Sequence, residues 1–309
     1  MSLTAALTEL GCTVEEQVSY ASMGYWRIGG PIRCAVTVHT TEQLQSVFQL
    51  AQAFDEPVLV LGNGSNMLMS DDGLEGIGII LAGDFESIEF DNEGVTVGAG
   101  VKNVRALSQC KRQGRGGLGS LAGVPGTIGG AIRMNAGTYL GEIGAVVDWV
   151  EWFHPDENTV HRNTGAELNF TYRKVGLPWG ALVLRVRLFT HQNDVLEEQA
   201  SIKAHLARRK ATQPLHLPSC GSVFKNPVGD YAGRLIETVG LKGTQIGKAQ
   251  ISDKHANFIV NLGGATAMDV AKLIKLARQT VFDETGVELE PEVRREGRWD
   301  DEIWSLDRR

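Results

Sequence analysis

Two glycine-rich stretches decide how this chain is read: Leu61-Gly62-Asn63-Gly64-Ser65-Asn66, and the longer run AGVPGTIGGAIRMNAG from Ala122 to Gly137. The first follows Val58-Leu59-Val60-Leu61, a fully apolar stretch of strand length, so it stands where a buried strand delivers a loop. Small residues there leave consecutive backbone N–H groups uncovered, which suits an anion; an ordinary turn has the same spelling. The second run carries Gly123, Val124, Pro125, Gly126, Thr127, Gly129 and Gly130, then Asn135. Its proline stiffens the loop, and its glycines let backbone lie flat against a large ligand. Two such loops from adjacent units suggest a pyrophosphate held between them.

Working outward, Ala35 to Val38 reads as a strand, and Thr41 caps a stretch in which Leu44, Val47, Phe48, Ala51 and Phe54 follow helical spacing. From about residue 86 the texture changes to strands at 87–90, 95–97, 146–153 and 182–189, with a helix over 101–113, which predicts a second, more antiparallel unit. Residues 194–211 form a charged amphipathic helix, broken by Gln213-Pro214 and Leu217-Pro218 at the entrance to a third unit. There a short helix over 233–239, a strand over 257–262 and a long helix over 268–284 are expected. Thr266 and Asp269 stand at capping-box spacing before the long helix, and Ala267, Val270, Ala271, Ile274, Ala277 and Val281 form its apolar stripe. The last dozen residues read as a partly ordered tail. The fold class is α+β.

The chain has 309 residues, 42% hydrophobic and 22% charged, with 37 glycines where average usage gives about 22. Its length predicts two or three packed units. A net charge of −7 argues against nucleic acid as a partner, since phosphate backbones need a basic surface. The densest cationic stretch, Arg208-Arg209-Lys210, reads as a solvated helix end where positive charge suits the dipole. Four separated cysteines without a CxxC pair predict reduced thiols and no metal site. With no apolar run of ~18 residues and no signal-like start, the expectation is a cytoplasmic protein with no membrane contact. Gly114-Arg115-Gly116-Gly117-Leu118-Gly119 spells the dinucleotide pattern GxGxxG, but a basic helical stretch precedes it, and no strand-to-helix context supports it. Walker, HExxH and GxSxG patterns are absent.

The pairing of the two glycine loops resembles the flavin-binding domain of the vanillyl-alcohol-oxidase (PCMH) type. FTYR (Phe170 to Arg173), SCGSVFKNP (Ser219 to Pro227), GLKGTQIGKAQISDKHANFIVN (Gly240 to Asn261) and LEPEVR (Leu289 to Arg294) extend the likeness. Together, from Arg27-Ile28-Gly29-Gly30-Pro31 to about Gly297, they resemble the UDP-N-acetylenolpyruvoylglucosamine reductase (MurB) family. The resemblance implies two FAD-binding α/β subdomains, 1–85 (completed by 288–309) and 86–212, and a C-terminal α+β domain, 213–287, for the UDP-sugar. It also implies non-covalent FAD on Gly62, Asn63, Gly64, Ser65 and Asn66 and on the second loop, with NADPH as co-substrate. The expected reaction delivers hydride to C3 of the enolpyruvyl group and yields UDP-N-acetylmuramate, a peptidoglycan precursor. A monomer is expected, with only small-molecule partners.

Within that resemblance Ser222 matches the proton donor at C2, and Arg173 and Glu292 match the electrophilic groups at the substrate carboxylate. Asn226, Lys242 and His255, with Lys225 adjacent, fall at UDP-sugar positions. Read alone, Ser222 is a turn hydroxyl beside Gly221, Arg173 an ion-pair partner, Glu292 a solvated carboxylate and His255 a satisfied core histidine. The sequence departs from the family at Val175, where Ser is frequent, at Gly119, where an acid is usual, and at Gly24, where Thr is common. Short intervals after Arg173 and Pro227 match the subgroup lacking a tyrosine-bearing loop. An FAD oxidase using oxygen and a catalytically silent binding protein are the competing readings.

Overall fold

In the computed structural model, which describes residues 2–193 and 195–306, the apolar run Val58–Leu61 is a strand. It pairs in parallel with Leu74–Leu81, Val58 opposite Ile77 and Leu61 opposite Ile80. These two close a four-stranded sheet in the order Thr13–Ser19, Pro31–Val38, Leu74–Leu81, Val58–Leu61. The helix expected beside it runs from Thr41 to Ala53, but its cap is Thr40 rather than Thr41. Of two adjacent threonines, Thr40 has the extended backbone, and its hydroxyl accepts from Gln43 N at 3.2 Å.

Contacts divide the chain into two units, one of Met1–Glu16, Cys34–Asn63 and Gly76–Ala207, the other of Gln17–Arg33, Gly64–Glu75 and Arg208–Arg309. The first unit has two apolar cores. In one, α1 (Leu3–Glu9) and α2 (Thr41–Ala53) bury Leu7, Leu44 and Val47 with Val36, Val38, Ile77 and Ile79 of the sheet. The other is built on an antiparallel five-stranded sheet ordered 159–164, 147–154, 182–189, 94–98 and 88–90; four of these are the strands expected after residue 86, and the edge strand 159–164 is an addition to them. Val97, Val150, Val186 and Leu188 pack there with residues of α3 (Asn103–Arg112) and α4 (Ile128–Arg133). Successive residues of one strand serve both cores: Trp152 faces the second, while Phe153 faces the first and meets Phe48 of α2 at 5.3 Å between ring centroids.

Helix α4 corrects the reading of 123–137 as loop throughout, because Gly129 and Gly130 are helical. A Cβ on Gly129 would lie 2.9 Å from the Cβ of Ala99, so glycine here permits close approach of helix to strand end. Helix α5 (Val195–Thr212) follows the expected 194–211 closely; position 194 lies outside the described residues.

In the second unit α6 (Ala232–Thr238) and α7 (Ala267–Thr285) pack with a three-stranded sheet of Gln245–Ile246, Ala249–Ile251 and Ile259–Asn261. Arg294–Glu296 pairs in parallel with Met67–Met69. Trp26 stands in the core and donates from Nε1 to the Ile259 carbonyl at 2.7 Å. The capping box forms as its spacing predicts: Asp269 N donates to Thr266 Oγ1 at 3.0 Å, and Thr266 N to Asp269 Oδ2 at 3.1 Å. Asp71 adds a carboxylate at the same helix start, accepting from Ala267 N and Met268 N. Within the described part of the tail Trp299 and Trp304 meet edge to face and Arg278 donates to the Trp304 carbonyl, so these residues are held in place rather than loose. No helix among the described residues is long and apolar enough to cross a membrane.

Replacing Thr266 by Ala removes half of the box on the principal helix of the second unit. The unfolding free energy is expected to fall by about 1 kcal/mol in urea titration, and an unchanged midpoint would contradict the role given to this cap.

Candidate active site

The first unit brings the start of the first glycine loop beside the second loop. A Cβ on Gly62 would lie 3.4 Å from Thr127 Oγ1, and Asn63 follows in the same unit. The second loop is pinned from one side by Asn103, only 1% exposed, a residue that no motif or spacing singles out. Its Nδ2 donates to the carbonyls of Val124 and Pro125, each at 3.3 Å, and its own N–H donates to Gly126 O at 3.0 Å. Because a trans peptide carries its N–H opposite its C=O, the amides of Gly126 and Thr127 point away from Asn103. Neither donates to an acceptor among the described residues. Gly123 and Gly126 have φ of +71° and +109°, the left-handed backbone that turns the loop. Two free N–H groups beside a side-chain-free Gly62 form a cradle that fits an anionic group such as a diphosphate.

The rest of the first loop, Gly64, Ser65 and Asn66, belongs to the second unit. Gly64 has φ +61°, and its Cβ would strike Gly24 Cα and Tyr20 Oη, each at 2.8 Å. Its carbonyl accepts from Tyr25 N at 3.2 Å and from the buried Cys220 thiol at 3.6 Å. Burial pushes that thiol up to about 12, so it stays protonated. Asn66 reaches elsewhere: its Nδ2 donates to Glu292 O and its carbonyl accepts from Arg294 N, both at 3.0 Å.

Ser222 and Glu292 are placed together by backbone. Glu292 N donates to Val223 O at 2.8 Å and Lys225 N to Glu290 O at 3.0 Å, with an antiparallel bridge between Phe224 and Pro291. Asn257 holds the same strip on its other side, donating to Phe224 O at 2.8 Å and accepting from Phe224 N at 2.9 Å. Ser222 is half-buried and follows Gly221, whose φ is +78°.

Arg173 lies in the first unit. Its φ is +56°, uncommon for a side-chain-bearing residue, and reciprocal hydrogen bonds of 3.0 Å between Thr171 and Lys174 enclose it. The guanidinium stands over the Tyr172 ring at 4.8 Å, and its Nη1 is 3.8 Å from Glu142 Oε1. Asn135, 1% exposed, joins these parts: its Nδ2 donates to Glu142 Oε2 at 2.8 Å and Thr171 O at 2.9 Å, and its Oδ1 accepts from Gly144 N at 2.9 Å. Both of its amide hydrogens therefore serve the Arg173 turn.

Lys242 and His255 gather near Glu237. Lys242 Nζ is 2.9 Å from Glu237 Oε1, and His255 packs its ring on Phe258 at 4.9 Å. His255 Nδ1 accepts from Asn257 N at 3.2 Å, which leaves Nε2 as the protonated nitrogen of the neutral ring. Burial first, then the Lys242 charge, lowers its pKa from the ordinary 6.5. Asn226 is exposed and accepts from Ala232 N at 3.1 Å, capping α6, while Lys225 is paired with Glu290.

The family model for the C-terminal domain of UDP-N-acetylenolpyruvoylglucosamine reductase matches residues 213–295, and one for an FAD binding domain matches residues 32–162. The UDP-N-acetylenolpyruvoylglucosamine reductase of Myxococcus xanthus is 42% identical over 96% of this chain and 96% of its own length. The chain belongs to the UDP-N-acetylenolpyruvoylglucosamine reductase family. A second such reductase, from Symbiobacterium thermophilum, is 44% identical over 87% of each chain. The crystal structure of the Thermus caldophilus reductase superimposes with a TM-score of 0.78 at 39% identity, covering 92% of this chain and 99% of that one. Within the reductase family the fold is an FAD-binding domain of the PCMH type joined to the C-terminal reductase domain, as the sequence predicts.

Depression of the His255 pKa favours the neutral ring in the folded chain. Its contribution to stability is present above about pH 6.5 and is lost as pH falls through the folded value. An NMR titration should place His255 below the free imidazole, and His255→Gln should flatten the loss of stability between pH ~7 and ~5. Titration at or above the free value would contradict this placement.

Proposed function

We propose that this protein reduces UDP-N-acetylenolpyruvoylglucosamine to UDP-N-acetylmuramate with NADPH, using non-covalently bound FAD, as a monomer in the cytoplasm during peptidoglycan precursor synthesis. The observation that carries the cofactor's place is the pair of free N–H groups at Gly126 and Thr127, where the second loop meets Gly62. Gly62, Asn63, Gly64, Ser65 and Asn66 and the run Gly123, Val124, Pro125, Gly126, Thr127, Gly129 and Gly130 receive FAD in this reading. Asn135, expected with the FAD residues, has its side-chain amide bonded to Glu142, Thr171 and Gly144 and is assigned instead to supporting the Arg173 turn. Residues 1–85 with 288–309, and 86–212, form the FAD-binding subdomains, and 213–287 the UDP-sugar domain.

FAD supplies the hydride-transfer chemistry between NADPH and C3 of the enolpyruvyl group. The chain's own task is to stabilise negative charge beside the substrate carboxylate and to deliver a proton to C2. Arg173 takes the first part by its charge and Glu292 by donating a hydrogen bond as the neutral acid, and the left-handed turn at Arg173 fixes the guanidinium without loop freedom. Ser222 takes the second. Serine is a weak acid in water, but the carbanion-like carbon is a stronger base than an alkoxide, so transfer is downhill when geometry is held. Bonding of Val223 O and Phe224 to Glu292 and Asn257 gives the hydroxyl that fixed position. Lys242, His255 and Asn226 hold the UDP-sugar, with a cation suited to the diphosphate and a neutral imidazole donating from Nε2.

With Ser222→Ala, NADPH should bleach the flavin at a near-normal rate, while reoxidation by the enolpyruvyl substrate slows by roughly 10²–10⁴-fold in stopped flow. Equal slowing of both half-reactions would remove Ser222 from the donor role. For Lys242→Ala the expected change is a rise in KM of about tenfold with kcat nearly retained, as for a contact common to ground and transition states. A collapse of kcat at unchanged KM would instead place Lys242 in the chemical step.

A further inference from the structure

The GxGxxG spelling at Gly114–Gly119 has an occupant, and it comes from the chain itself. Glu198, in the first turn of α5, accepts from Gly117 N at 2.9 Å (Oε2) and 3.1 Å (Oε1), and from Gly119 N at 2.7 Å (Oε1). A Cβ on Gly119 would stand 2.8 Å from Glu198 Oε1, and one on Gly116 would overlap Oε2. Two of the three pattern glycines, Gly116 and Gly119, are thus bare because an internal carboxylate fills the place of a side chain. Seven residues along the same face of α5, two helical turns away, buried His205 donates from Nε2 to the carbonyl of Ala122 at 3.1 Å and rests edge-on against Tyr139. Between these two fixed points run only Ser120 and Leu121, and Gly123-Val124-Pro125-Gly126 follows directly.

We propose that Glu198 is a positioning residue for the flavin: with His205 it makes α5 a splint that fixes residues 117–122, and so sets where the amides of Gly126 and Thr127 stand. At position 119, where the family resemblance has an acidic side chain, this protein has glycine, and the carboxylate arrives from α5 instead. The inference rests on the reading that 123–130 holds FAD. Asn103 orients the loop from one side and α5 fixes its approach, so loss of Glu198 leaves the loop hydrogen-bonded but free to drift where it enters. A drift below 1 Å is enough to weaken preorganised donors.

The test exchanges the carboxylate between its two possible carriers. Full-length holoprotein is serially diluted and free-flavin fluorescence gives the FAD dissociation constant. Glu198→Ala should weaken FAD by about tenfold, or ~1.4 kcal/mol. Gly119→Glu alone should also weaken it, since two carboxylates then compete for one space. The double variant Gly119→Glu with Glu198→Ala should recover most of the affinity, a coupling that general loss of packing in α5 does not produce. Hydrogen exchange on the wild type, with and without added FAD, reads the underlying assumption separately. Protection of 123–130 by FAD together with affinity unchanged in Glu198→Ala overturns the positioning role and leaves the loop reading standing. So does a double variant no better than the worse single one. Absence of FAD protection over 123–130 overturns the loop reading and this proposal with it.

Discussion

Asn103 satisfies three successive carbonyls of an irregular loop, Val124 and Pro125 through its side chain and Gly126 through its backbone N–H, and the cofactor cradle depends on this. A loop that offers N–H groups to an anion must turn its carbonyls the other way, and buried carbonyls need donors. The residue that starts α3 provides them. Ile128 N and Gly129 N continue the join to Val101 O and Ala99 O, so the strand at 94–98, the start of α3, the loop and α4 form one hydrogen-bonded piece. Loss of the Asn103 amide would leave the half-buried carbonyls of Val124 and Pro125 without this donor and the loop without its anchor.

Carboxamides repeat this device at three other places outside regular structure. Asn257 brackets the backbone of Phe224, Asn135 joins Gly144, Glu142 and Thr171, and Asn261 donates to Trp26 O while accepting from Gly263 N and Ala265 N. An amide side chain carries donor and acceptor at one end and so replaces a missing ladder partner in both senses. Helices and sheets satisfy their own backbone; functional loops cannot, and here asparagine supplies the difference.

Charge in this acidic chain is arranged locally. Lys242 stands beside the Glu237 carboxylate and Arg173 beside that of Glu142, while burial favours the neutral ring of His255. An internal anion, Glu198, occupies the one glycine pattern that imitates a nucleotide site. Electrostatics therefore separates the two glycine runs where spelling does not: one is already filled by the protein, and the other has donors still free.

The sequence by itself determined the elements whose signal is local. The apolar strand at 58–61, the antiparallel strands after residue 86, the capping box at Thr266 and the stripe of α7 follow from periodicity and capping chemistry that neighbouring residues carry together. Contiguous motifs also fixed the family and named Ser222, Glu292 and Arg173. Tertiary structure alone decided what serves those motifs. Asn103 and Asn257 look like ordinary polar residues until chain segments 21 and 33 residues away fold against them. The cap at Thr40 instead of Thr41 and the helical state of Gly129 were settled by backbone geometry and by the nearness of Ala99, which no residue spacing encodes. Glu198 shows the same division: its partners are backbone amides 79 and 81 residues earlier, and a backbone amide has no letter in the sequence.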